Sequence, residues 1–114
     1  MAVTIYHNPN CSTSKKVLGW LKEKGVEPKV VEYLKTPLDE AGIKSLLKKL
    51  KLGPRDILRK KGEAFEALKL TDKTSDEALI KAMAKTPILI ERPIVVGPKG
   101  AVLARPPERV WEAV

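Results

Sequence analysis

Apolar residues recur along this chain with two different periods. Ala2 to Tyr6 is a short, β-leaning apolar run that ends in the turn-like segment His7-Asn8-Pro9-Asn10. From Ser12 to Lys24 the spacing of Val17, Leu18 and Leu21 places them on one helical face, and Gly25 closes that helix. Lys29 to Tyr33, with its Val-Val pair, reads as a second strand, and Thr36-Pro37 suits the cap and first turn of a helix running to about Lys51. Two strands joined through a helix are expected to be parallel. The middle of the chain is helical but punctuated. Gly53-Pro54 breaks it, Arg55 to Lys60 and Glu63 to Leu68 suit short helices, and Thr74 with Glu77 forms a capping-box pattern opening a helix over Ser75 to Ala84.

After Pro87 the period changes. Ile94-Val95-Val96, the turn Gly97-Pro98-Lys99-Gly100 and Ala101 to Ala104 predict a β-hairpin, and a last short helix after Pro106-Pro107 carries Val110 and Trp111. The order is therefore β-α-β, a helical insert, then β-β-α. That is the plan of an α/β protein of thioredoxin-like fold: a four-stranded mixed sheet with a helical insertion between its βαβ and ββα halves. With 114 residues and no linker, repeat or low-complexity stretch, the expectation is a single domain spanning residues 1–114.

Composition narrows the classes of function. At 43% hydrophobic and 32% charged residues the chain is too apolar for disorder; the stretch from Pro87 to Gly97 is interrupted by Glu91 and Arg92, and the opening residues MAVTIYHNPN have neither a basic segment nor a long apolar one, so no membrane span or export signal is expected. The single cysteine excludes an internal disulfide framework and any multi-cysteine zinc site, and it fits a reducing compartment, with the cytoplasm as the default location. No metal is expected. The net charge of +8 attracts anions through a field that salt screens, but most lysines recur at helical spacing, as on solvated helix faces, and no nucleic-acid recognition motif or set of stacking aromatics accompanies them.

Cys11 follows the first strand and precedes the first helix, so the amides of Ser12, Thr13 and Ser14 are expected to face it at the positive end of the helix dipole. Those amides and nearby cations favour thiolate over thiol and could also cradle an oxyanion. The competing reading is a small buried hydrophobe. His7, the only histidine, either hydrogen-bonds within this loop and helps to position it or is a loop residue of no catalytic weight. Ser14 stands where a CxxC redox motif would have its second cysteine, so an outside thiol must resolve any Cys11 adduct. Val17 occupies the position where a tyrosine-phosphatase loop requires arginine. Arg59, Arg92 and Arg105 fall in three separate turns or loops. Arginine suits bidentate oxyanion binding, although by spacing alone each is an ordinary surface residue.

Four segments in register, HNPNCSTS, LRKKGE, ERPIVV and ARPPE, closely resemble the signature segments of the glutaredoxin-linked arsenate reductase family, over nearly the whole chain from Thr4 to about Glu112. The resemblance implies that Cys11 is the nucleophile, that Arg59, Arg92 and Arg105 hold the oxyanion and favour the thiolate, and that His7, Ser12, Thr13 and Ser14 support the active loop. It also implies that Arg92-Pro93 is a cis peptide bond, making Pro93 a cis-proline. The implied reaction is reduction of arsenate to arsenite through a Cys11 adduct, with glutathione as co-substrate, glutaredoxin as partner and no bound cofactor; a monomer is a separate expectation. Two other functions fit the same features: a glutathione-dependent thiol enzyme that does not act on arsenate, and a non-catalytic transcription regulator of the same fold.

Overall fold

A computed structural model describes residues 3–71 and 73–114; Ala2, at the start of the first apolar run, lies outside the described residues. The chain forms two compact units, one built from the segments up to Thr36 and from Arg92 onward, the other from Pro37–Glu91.

The first unit holds the sheet. Its elements are β1 (Thr4–His7), α1 (Ser12–Glu23), β2 (Lys29–Glu32), β3 (Ile94–Gly97), β4 (Gly100–Leu103) and a terminal 3₁₀ segment, Pro107–Glu112. The strand order is β2-β1-β3-β4. β1 pairs with β2 in parallel and with β3 antiparallel, and β3 pairs antiparallel with β4, so the sheet is mixed, as expected of a thioredoxin-like fold. α1 is the crossover that a parallel β1–β2 pair requires. Ile5, Val95 and Val102 are register partners across three strands. They pack in one cluster with Val17 and Leu21 of α1 and Val110 and Ala113 of the terminal segment. Full burial of each large apolar side chain contributes about 1.5–3 kcal/mol, which makes this cluster the main support of the loop preceding α1. Gly25 takes φ 78 and its N–H bonds the Lys22 carbonyl at 3.0 Å, a left-handed ending that glycine adopts without steric cost.

Thr36 does not start a helix. Its N–H and hydroxyl both donate to the Glu32 carbonyl, at 3.0 and 3.3 Å, closing a turn after β2.

The second unit is helical. α2 (Glu40–Leu50) is capped by Asp39, whose carboxylate accepts from the Gly42 N–H at 2.7 Å, so the cap lies three residues beyond the one the sequence suggests. In place of a helix over Arg55 to Lys60 there is one 3₁₀ turn, Pro54–Ile57, after which Leu58 forms an antiparallel bridge with Ile90. α3 (Glu63–Ala67) is short, and α4 (Asp76–Lys85) is capped by Ser75, whose Oγ accepts from the Ala78 N–H at 3.2 Å. Thr74, the expected cap, instead accepts from the Thr71 N–H at 2.9 Å. Ile43, Ile57, Leu79, Met83 and Leu89 supply the unit's most deeply buried side chains. Among the described residues, no helix is long and apolar enough to cross a membrane.

Candidate active site

The alternation of β1 buries Ile5 and His7 on the same face. Ile5 anchors the strand against α1, and His7, two residues on, is thereby aimed at the first turn of that helix. Its Nδ1 lies 2.6 Å from the Ser14 hydroxyl, and the same oxygen accepts from the Asn8 N–H at 3.2 Å. Asn8 is buried, its Oδ1 accepts from the Asn10 N–H at 2.9 Å, and its carbonyl accepts from the Cys11 N–H at 3.0 Å. These bonds fold residues 7–11 into a tight turn and deliver Cys11 to the N-cap position of α1 with an extended backbone. Asn8 had no assigned role in the sequence reading, although its place in an Asn-Pro-Asn turn is a signal for such self-bonding.

Cys11 is half-buried and carries a free thiol. Burial is the largest single influence on that thiol and raises its pKa. It is outweighed by the Ser14 amide, by the Arg92 guanidinium acting as hydrogen-bond donor and as charge, and by the Thr13 amide, so the net pKa lies below the ordinary thiol value. The sulfur closes no short capping bond; the amides favour its charged form from the first turn of the helix. Ser12 is exposed. His7 is held below its ordinary pKa, chiefly by burial, with Glu32 opposing that trend and Lys15 and Lys22 reinforcing it.

Arg92 is buried, only 6% exposed, immediately before Pro93. The Arg92-Pro93 and Arg105-Pro106 peptide bonds are both cis; the second has no counterpart in the sequence reading. Arg105 donates from Nη1 to the Arg92 carbonyl at 3.0 Å. Cys11, His7, Ser14, Arg92 and Arg105 all belong to the sheet unit. Arg59 belongs to the helical unit, where its Nη1 lies 3.4 Å from Glu91 Oε1 and its N–H bonds the Leu89 carbonyl at 2.6 Å. Among the described residues, no three His, Cys, Asp or Glu side chains gather as a metal site would require.

A thioredoxin-like sheet, one cysteine at the start of its first helix and a buried arginine beside the sulfur define a monothiol protein of that fold. The chain belongs to the ArsC family, whose model matches residues 6–113. It is 51% identical over 114 residues to an uncharacterised protein, YfgD, of Escherichia coli strain K12, covering 98% of this chain and 96% of that protein. It is 48% identical over 113 residues to an arsenate reductase of Rhizobium meliloti, covering 98% of this chain and 81% of that one. The solved structure of an arsenate reductase from Vibrio cholerae superposes with a TM-score of 0.94 at 44% identity, covering 100% of this chain and 98% of the other.

Proposed function

We propose that this protein reduces arsenate to arsenite. The observation that carries the proposal is the pairing of a thiol biased toward thiolate with a buried arginine, in a member of the ArsC family whose relatives include arsenate reductases. The Cys11 thiolate attacks arsenic, and an oxygen leaves as water to give a sulfur–arsenic adduct. The thiolate of glutathione then attacks the Cys11 sulfur. The electron pair of the sulfur–arsenic bond stays with arsenic, which departs as arsenite and leaves a Cys11–glutathione disulfide. Glutaredoxin takes the glutathionyl group by thiol–disulfide exchange and frees Cys11. Ser14 offers no second thiol at this site, so the exogenous thiols are required by the balance of electrons.

In this reading Cys11 is the nucleophile, and Arg92 and Arg105 meet the charge of the oxyanion, for which a guanidinium fork is suited; the same role for Arg59 is what the family resemblance implies. His7, Ser12, Thr13 and Ser14 support the loop. No cofactor is held, glutathione serves as co-substrate, and the protein acts as a cytoplasmic monomer. A second reading, a glutathione-dependent thiol enzyme acting on another substrate, rests on the same Cys11 thiol and buried Arg92.

The test is NADPH oxidation on adding arsenate to the protein with glutathione, glutaredoxin and glutathione reductase, beside a Cys11→Ser control. Turnover that vanishes in the control supports arsenate reduction, and KM for arsenate should rise about ten-fold or more in Arg59→Ala but little in Lys48→Ala. Glutathione binding without arsenate turnover favours the second reading.

A further inference from the structure

The ends of the β3–β4 hairpin are laced together beyond its last ladder pair. Ile94 and Leu103 are register partners, the Ala104 N–H bonds the Pro93 carbonyl at 2.9 Å, and one step further out Arg105 Nη1 bonds the Arg92 carbonyl at 3.0 Å. A buried carbonyl must find a donor, and here the donor is a charged side chain, which makes the bond stronger than a neutral one. The peptide it holds carries the arginine whose guanidinium serves Cys11.

We propose that Arg105 is a positioning residue: by donating from Nη1 to the Arg92 carbonyl, it fixes the backbone from which the Arg92 side chain reaches Cys11. The inference rests on the proposed function only in taking Cys11 as the reacting thiol. Arg105 then influences the free protein, before any oxyanion arrives. A residue that only met the oxyanion would act in its presence alone. A guanidinium has five donors, so bonding the Arg92 carbonyl and meeting an oxyanion are compatible tasks.

The test is the pH dependence of Cys11 alkylation by iodoacetamide, with neither arsenate nor glutathione present. The proteins compared are wild type, Arg105→Ala, Arg105→Lys, Arg92→Gln and the double variant Arg92→Gln/Arg105→Ala, each checked for folding by circular dichroism. Arg105→Ala is expected to move the thiol pKa upward and slow alkylation at pH 7 by about three- to ten-fold. Arg105→Lys, which keeps a cationic donor, is expected to recover part of that loss. In the Arg92→Gln background the second substitution should change little, because the path through Arg92 is already gone. An unchanged pKa in Arg105→Ala would overturn the proposal. So would a shift of equal size in both backgrounds, which would mean that the guanidinium acts on the sulfur directly. If Arg105→Ala does not fold, Arg105→Gln carries the same comparison. Because arsenate is absent, failure of arsenate turnover leaves this result standing.

Discussion

The Nδ1 of His7 and the hydroxyl of Ser14 meet at 2.6 Å inside the loop that presents Cys11. The contact ties the end of β1 to the first turn of α1 and places an imidazole where burial disfavours its charge. With its folded pKa below the unfolded value of about 6.5, His7 leaves the unfolded chain binding more protons below that pH. Stability is therefore full above about pH 6.5 and is lost as pH falls through the window beneath it. Urea midpoints measured from pH 7.5 down to 5 should fall for the wild type and fall less steeply for His7→Asn. Parallel slopes would remove His7 from that role.

Ser14 acts on Cys11 through its amide, while its hydroxyl is engaged by His7 and Asn8. Ser14→Ala should therefore cost about 1–3 kcal/mol of stability, the usual penalty for leaving buried polar groups unmatched. The thiol should remain below its ordinary pKa, since the amide survives. Return of the alkylation pKa to that of free cysteine would show that the hydroxyl, not the amide, supports the thiolate.

Gly97 ends β3 where the Ala113 carbonyl comes against it so closely that an added Cβ would collide with main chain. The same carbonyl accepts from the Lys99 N–H at 3.0 Å, so the terminal segment is docked onto the hairpin turn at this point. Gly97→Ala should destabilise the fold by about 1–3 kcal/mol, read as a lower thermal midpoint. An unshifted midpoint would mean that the segment moves aside at no cost.

Much of this was legible along the chain, for reasons that differ by element. Val17 and Leu21 recur at helical spacing and are both buried, and a strand on either side of that helix leaves parallel pairing as the economical arrangement. Cap choice was less legible. Thr74 and Ser75 are chemically alike, and only the backbone decides which of them precedes the first helical residue. Asp39 displaced Thr36 because the Thr36 groups were already bonded to Glu32. The segment around Arg59 is too short for periodicity to separate a helical turn from a bridge to Ile90. The bond from Arg105 to Arg92 left no trace in sequence, because it joins side chain to main chain across the ends of a hairpin.

The central claim, that Cys11 attacks arsenate and passes the oxidation to glutathione, is tested most directly by intact-mass spectrometry of the protein incubated with arsenate and glutathione, with glutaredoxin omitted. The account predicts one glutathionyl group per chain, located on Cys11, formed only when arsenate is present and absent from Cys11→Ser. No adduct on a folded protein with a reactive thiol, or an adduct that forms equally without arsenate, would contradict it.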